Sequence, residues 1–106
     1  MTPLPKSLPI GWFASSPVKS TELHDELRKE LPPGHRLHGI EVHVIAHREG
    51  TDDILCQHIN DPDQFTVVHL SWIGKTEIDP NHPYVEADGS FDAFLEYENR
   101  FFRNEN

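Results

Sequence analysis

The longest apolar-rich stretch of the chain spans residues 64–73, and its large side chains fall on both sides of an extended backbone. Phe65 and Val67, at odd-numbered positions, would point to one side, and Val68, Leu70 and Trp72, at even-numbered positions, to the other. Successive side chains of a strand point to opposite faces, so a strand with one face in water would be apolar at one parity only. The pattern therefore predicts an inner strand that is covered on both sides over much of its length.

Further strands are predicted on either side of this stretch. Between residues 37 and 48, apolar positions alternate with mostly polar ones, as in a half-exposed strand. The apolar parity of that segment holds Ile40, Val42, Val44 and Ala46. Residues 54–59 predict the returning strand, and short turns between the three strands favour an antiparallel meander. A polar loop over residues 74–83 then leads to a short fourth strand at residues 84–87.

A helix is predicted on each side of the strand segment. Ser20 is expected to cap the first helix, and Pro-Pro-Gly at residues 32–34 is expected to end it. The apolar stripe of this helix repeats every four residues, at Leu23, Leu27 and Leu31. Ser90 is expected to cap the second helix. The buried side of the second helix is expected to carry Phe91, Phe94, Leu95, Phe101 and Phe102.

Together these elements predict an α+β fold, with an N-terminal and a C-terminal helix packed on an antiparallel sheet of three to four strands. We expect both helices to cover the sheet face that carries Val42, Val44, Val68 and Leu70. The 106 residues suffice for a single domain with one core. Residues 1–17 predict a Pro-rich arm without regular structure, and residues 18–106 predict an α-β-β-β-(β)-α core. The apolar residues at 10–13 are expected to lie against the domain or a second subunit.

The balance of charge narrows the classes of partner. The formal net charge is -9 at pH 7, from 18 acidic and 9 basic residues. Nucleic acids and anionic membranes attract basic surfaces, so we expect neither as a partner, whereas a basic protein suits the charge. Cys56 is the sole cysteine, which excludes a disulfide within the chain. Because residues 1–6 also lack the apolar core of a signal peptide, we expect a cytoplasmic protein.

One motif resembles a known group of proteins. Val-His-Leu-Ser-Trp-Ile-Gly-Lys at residues 68–75 precedes a Pro-rich acidic loop and an aromatic C-terminal helix. This pattern, with Pro-Gly-His at residues 33–35 and Asp-Asp-Ile-Leu at residues 52–55, resembles a group of small bacterial proteins over most of residues 33–96. That group has no established activity. The resemblance implies a bacterial protein of one soluble domain, and it carries over no catalytic residues.

The eight histidines raise the question of a metal site. One hypothesis is a small metal-dependent hydrolase or phosphoesterase in which His43, His58 and His69 converge from three strands. His43 shares its strand face with His47, but at about 3.3 Å per residue the two stand about 13 Å apart, too far to share an ion. The spacing of the histidines matches no established metal signature. We therefore expect no metal, no cofactor and no catalytic residue.

The leading hypothesis from the sequence is a non-enzymatic protein-binding module of the inhibitor or immunity type. The motivating features are the small size, the acidity and the aromatic residues, which often dominate the energetics of interfaces. The expected contact residues are Trp12, Phe13, Trp72, Asp52, Asp53, Asp61 and Asp63. A homodimer built through the Pro-rich arm is an alternative use of the aromatic residues. A solvated acidic face without a partner is the plainest alternative.

Overall fold

The computed structural model of the protein describes residues 7–103, with side chains up to residue 100. In chain order its elements are β1 (Trp12–Ala14), α1 (Pro17–Glu30), β2 (Val42–Arg48), β3 (Asp53–His58), β4 (Phe65–His69), β5 (Tyr84–Gly89) and α2 (Phe91–Arg103). The strands form one antiparallel sheet in the order β1-β2-β3-β4-β5. The predicted α+β class is confirmed, with five strands in place of three or four.

The strand β4 lies between β3 and β5, and both of its faces are covered, as its apolar pattern predicts. Val68 belongs to an apolar cluster with Leu27 of α1. Its neighbour Val67 points the other way and belongs to a second cluster with Phe94 of α2. The two helices therefore cover opposite faces of the sheet. The expectation that both would lie on the Val68 face was right for α1 and wrong for α2.

A bulge in β2 explains why a simple alternation failed there. The pairing between β2 and β3 shifts register between Val44 and Ala46. Val44 packs in the α1-side cluster, whereas Ile45 and Ala46 both pack in the α2-side cluster. An extra residue in a strand reverses the facing of every residue that follows it. Ala46 was predicted to share a face with Val42 and Val44, and the bulge moves it to the opposite face.

Helix α1 begins earlier than the sequence suggested. The hydroxyl of Ser16 accepts a hydrogen bond from the Lys19 N–H at 3.1 Å, and Pro17 stands in the first turn, where a missing N–H costs nothing. Ser20, the predicted cap, lies inside the helix. Its hydroxyl donates to the Val44 carbonyl at 2.6 Å and so ties α1 to β2.

Helix α2 begins as predicted, because the Ser90 hydroxyl accepts a hydrogen bond from the Ala93 N–H at 3.1 Å. Phe91 and Phe94 are buried, as expected for its apolar side. The side chains of Phe101 and Phe102, which were predicted to continue that side, lie outside the described residues.

The segment expected to form an irregular arm contains the edge strand β1, which pairs with Ala46, His47 and Arg48 of β2. Trp12 is buried in the α2-side cluster, and Phe13 is exposed. Residues 1–6, the start of the predicted arm, lie outside the described part of the chain. Neither α1 nor α2 has the length and apolar character needed to cross a membrane, within the residues that the structure describes.

Candidate functional site

A buried carboxylate fixes the loop between β4 and β5 to the end of α1. Glu30, the last residue of α1, has no exposed surface. Its Oε1 accepts hydrogen bonds from the Ser71 N–H at 2.9 Å and the Ser71 hydroxyl at 3.0 Å, and its Oε2 accepts one from the Trp72 N–H at 2.8 Å. Glu26, one helical turn earlier, accepts a hydrogen bond from the Gly74 N–H at 3.1 Å. We call residues 71–78 the latched loop.

Glu26 and Glu30 also bond to each other, and their pKa values move in opposite directions. Burial raises the pKa of Glu30 to about 7, and the hydrogen bond to Glu26 adds to the rise. The same hydrogen bond is the main cause that holds the pKa of Glu26 below its ordinary value. The pair therefore keeps one shared proton up to near-neutral pH.

The hydrogen bonds to Glu30 hold the backbone of Trp72 in an unusual conformation. Its φ is 58°, in the left-handed region that residues other than glycine rarely adopt. Such a conformation costs on the order of 1 to 3 kcal/mol and persists where surrounding bonds impose it. The indole remains 41% exposed, and in the same loop Ile73 is 42% and Ile78 98% exposed. The latched loop therefore presents three large apolar side chains on a backbone that α1 holds in place.

A second group of polar side chains lies between the sheet and α2. Arg48 joins two buried carboxylates, since its Nε lies 3.3 Å from Asp53 Oδ2 and its Nη2 contacts Glu98 Oε2. The Trp12 indole N–H donates to Glu98 Oε1 at 3.0 Å, and the Arg48 guanidinium lies 5.1 Å from the centre of the indole. On the other side of the group, His69 Nδ1 lies 2.8 Å from Asp53 Oδ1. We call this group, with Glu86 of β5, the charged cluster.

The charged cluster shifts the pKa values of several of its members. Burial, with the negative charge of Asp53, raises the pKa of Glu86 to about 7. The hydrogen bond to Asp53 raises the pKa of His69 above its ordinary value. Burial, followed by the charges of Glu86 and Glu98, raises the pKa of the nearby Tyr97 hydroxyl. These shifts all favour keeping a proton, because burial disfavours the ionised forms of Glu86 and Tyr97 and because the neighbouring carboxylates favour a protonated His69.

The contact residues predicted from the sequence do not form one surface. Trp12 and Asp53 are buried within the charged cluster, whereas Phe13 is 52% exposed on β1 and Trp72 lies on the latched loop. The exposed aspartates lie in turns at opposite ends of β3: Asp52 before it, and Asp61 and Asp63 after it. The six residues of β3 span roughly 20 Å at about 3.4 Å each. Because Trp12 and Asp53 are buried, a single contact cannot include all seven residues.

The histidines of the metal hypothesis do not converge either. His58 pairs with Val42 at one end of β3, and its Nε2 lies 2.8 Å from the Thr66 hydroxyl. His69 pairs with Asp53 at the other end of β3, about 17 Å away by strand spacing. His43 lies near the His58 end, opposite Gln57. Of the three, His69 alone belongs to the charged cluster.

Several residues that build these sites went unnoticed in the sequence, although a signal was present. Glu26 and Glu30 follow Leu23 and Leu27 at spacings of three, and the four share the buried face of α1. Glu98 likewise continues the buried face of α2. A carboxylate at a core position of a helix pattern is costly to bury unless it is bonded, so it indicates a bonded or functional role. The position of Glu86 in the sequence pattern gives no comparable indication, because the direction of its side chain depends on a bulge.

Two other features contribute little to a functional site. Cys56 is a buried thiol whose pKa burial raises to about 12, so it is a poor nucleophile at neutral pH. A cleft of about 480 Å³ lies between α1 and the start of β2. Its walls mix exposed Ile40 and Ile59 with Arg28, Glu41 and His38, and the structure assigns it no bonded catalytic pair.

Comparison with protein-family models, with curated proteins and with solved structures finds no match for this chain. The resemblance of residues 33–96 to a group of small bacterial proteins therefore remains a prediction from the sequence.

Proposed function

We propose that the protein is a non-enzymatic binding module that presents the latched loop to a basic protein partner, in the manner of an inhibitor or immunity protein. One observation carries the proposal. The buried Glu30 carboxylate holds the Trp72 backbone in a left-handed conformation beneath an exposed indole. Backbone strain of this kind collects at binding and catalytic sites, where the geometry serves a purpose that stability alone does not.

The geometry of the latched loop supports docking in two ways. A loop that is fixed before binding loses little conformational freedom on binding, so more of its contact energy appears as affinity. Tryptophan is also among the residues that most often dominate binding energy when they fill a partner's pocket. Ile73 and Ile78 are further exposed apolar side chains of the same loop. Large exposed apolar side chains grouped in one loop are typical of an interaction surface.

The charge of the whole molecule supports a basic partner. A formal net charge of -9 attracts a cationic protein at long range and repels acidic ones. The exposed Asp52, Asp61 and Asp63 contribute to this general field. We place the module in the cytoplasm, since its one cysteine, Cys56, is a buried free thiol.

The test uses Trp72→Gly, which removes the indole and relieves the left-handed strain. Immobilised wild-type protein is expected to retain a basic protein from the native lysate at low salt, and the purified pair is then measured by titration. Trp72→Gly is expected to weaken that pair at least tenfold, about 1.4 kcal/mol. Its urea unfolding midpoint is expected to stay near that of the wild type, because the relief of backbone strain offsets the loss of the buried part of the indole.

Phe13→Ala is the matched control, because it removes a comparably exposed aromatic side chain from β1 and leaves the latched loop intact. It is expected to bind as the wild type does. Equal retention by wild type and Trp72→Gly, or no retained protein at low salt, would contradict the proposal. A dimer in light scattering that Phe13→Ala dissociates would instead support the homodimer alternative.

A further inference from the structure

Three side chains with metal-binding atoms meet from three adjacent strands: Asp53 of β3, His69 of β4 and Glu86 of β5. Each offers one ligand atom, and these atoms all lie within 4.8 Å of one another. We propose that Asp53, His69 and Glu86 bind one divalent transition-metal cation. This site is separate from the latched loop, and the proposal does not depend on the binding function proposed above.

The distances suit a shared ion. Two ligand atoms that each lie about 2.1 Å from an ion, at angles of about 90 to 110°, are separated by about 3.0 to 3.4 Å. Asp53 Oδ1 and His69 Nδ1 are 2.8 Å apart, because the two residues face each other directly in the β3–β4 register. A cation between them replaces the hydrogen bond that joins them, with little movement of either side chain.

A bulge in β5 aims Glu86 at this pair. Val67 pairs with Ala87, but Val68 pairs with Val85, so Glu86 is the extra residue between them. Val85 packs against the α1-side cluster and Ala87 against the α2-side cluster, whereas residues two apart in a regular strand share a face. Bulges recur beside functional sites because they redirect one side chain. This observation is independent of the ligand distances.

Neighbouring groups orient Asp53 as the outer partners of metal ligands do. The Thr51 hydroxyl donates to Asp53 Oδ2 at 3.1 Å, and Arg48 Nε lies 3.3 Å from the same oxygen. These contacts leave Oδ1 directed to His69. Outer partners of this kind fix the ligand's orientation and strengthen metal binding.

The formal charges leave room for one divalent cation. Asp53, Glu86 and Glu98 carry three negative charges when ionised, and Arg48 carries one positive charge against them. With His69 neutral, as a ligand must be, the charged cluster carries a net charge of two negative units. A divalent cation brings this to zero, which offsets the cost of gathering the carboxylates in a partly buried space.

The ligand set selects the class of ion. One imidazole and two carboxylates suit Zn²⁺, Mn²⁺, Fe²⁺ or Co²⁺, whereas Ca²⁺ and Mg²⁺ prefer oxygen ligands throughout. The His69 side chain is 48% exposed, so an ion reaches the site from solvent. Three protein ligands with an open side leave at least one coordination position to water.

The test titrates protein produced without a histidine tag with Zn²⁺ by calorimetry and with Co²⁺ by visible absorption. We expect one ion per chain, and an excess of Mg²⁺ or Ca²⁺ is not expected to displace it. His69→Gln and Glu86→Gln are each expected to weaken binding by more than about tenfold, since the loss of an outer partner alone has that effect. His43→Gln is the matched control, because it also removes an exposed strand imidazole, and it is expected to bind as the wild type does.

A measurement on the wild type guards against variants that fold poorly. Substoichiometric Mn²⁺ is expected to broaden amide signals around Asp53, His69 and Glu86 before those around His43 and His58. The proposal is overturned if broadening begins elsewhere, if Ca²⁺ competes equally with Zn²⁺, or if His69→Gln and His43→Gln lose the same affinity.

Discussion

At the scale of the single residue, the most informative group is the Glu30 carboxyl. Burial raises its pKa from 4.5 to about 7. Between those two values the folded chain holds a proton on Glu30 that the unfolded chain has released. The resulting stabilisation is fully present below pH 4.5 and is lost as the pH rises through about 7. Above that pH, Glu26 and Glu30 are both charged and repel each other one turn apart on α1.

Glu26→Gln is expected to reduce this dependence on pH, because burial alone still raises the pKa of Glu30. The glutamine keeps an oxygen for the Gly74 N–H and gains an amide that donates to Glu30, so Glu30 ionises without a charged neighbour. At pH 8 the variant is expected to exceed the wild type in free energy of unfolding by about 1 kcal/mol, as one pKa unit implies. Urea unfolding at pH 5, 6.5 and 8 measures this. Glu22→Gln, an exposed change on the same helix, is the control, and an unchanged slope with pH in Glu26→Gln would contradict the argument.

At the scale of the element, the sequence predicted which segments form helices and strands. It predicted less well which face of the sheet each side chain and each helix lies on. The stretch at residues 64–73 was predicted as one strand covered on both sides. The residues of β4, Phe65–His69, are so placed, but the strand ends before Leu70 and Trp72, which were predicted to continue it. The faces of Ala46 and Glu86 were not predictable from alternation. A bulge shifts the register by one residue, so every later side chain points to the other face of the sheet. No single residue type predicts where a bulge occurs.

The candidate sites were predictable only in part for a related reason. Trp72 was expected at a contact, and it lies exposed on the latched loop, but its partner Glu30 is distant in sequence. The alternative metal hypothesis placed His69 near His43 and His58, yet its hydrogen-bond partner is Asp53, which lies directly opposite it on the neighbouring strand. Such contacts depend on register and on which helix covers which face, and these are properties of the assembled sheet.

The two-sided core predicts a pattern of coupling between substitutions. Val67→Ala and Val68→Ala remove the same groups from neighbouring buried positions and are each expected to cost about 1 to 2 kcal/mol. Leu27→Ala, in the α1-side cluster, is expected to cost about 2 to 5 kcal/mol. Combined with Val67→Ala it is expected to be additive within about 0.5 kcal/mol, and combined with Val68→Ala it is not, because only Val68 shares its cluster. Equal coupling of both pairs in urea unfolding would show that the helices share one face.

At the scale of the whole molecule, the net charge is less negative than the formal count. The value of -9 treats every carboxyl as ionised. Because Glu30 and Glu86 have pKa values of about 7, both are partly protonated at pH 7, and the net charge is less negative than the formal count. The same groups that shape the two sites therefore reduce the field that attracts a basic partner, and they reduce it further as the pH falls.

Histidine protonation is expected to set the acid limit of solubility. With all eight histidines charged and Glu30 and Glu86 protonated, the count moves from -9 to -9 + 8 + 2 = +1, so the net charge passes through zero, where proteins associate. Unperturbed histidines titrate near pH ~6.5, so turbidity is expected to rise below pH ~6. Replacing the exposed His38 and His43 by Gln leaves +1 - 2 = -1 in the same state, so the net charge approaches zero at a lower pH and the rise is expected to shift with it. Asn60→Gln changes no charge and serves as the control. Superimposed turbidity curves for the wild type and the double variant would mean that exposed apolar side chains, such as those of the latched loop, limit solubility more than net charge does.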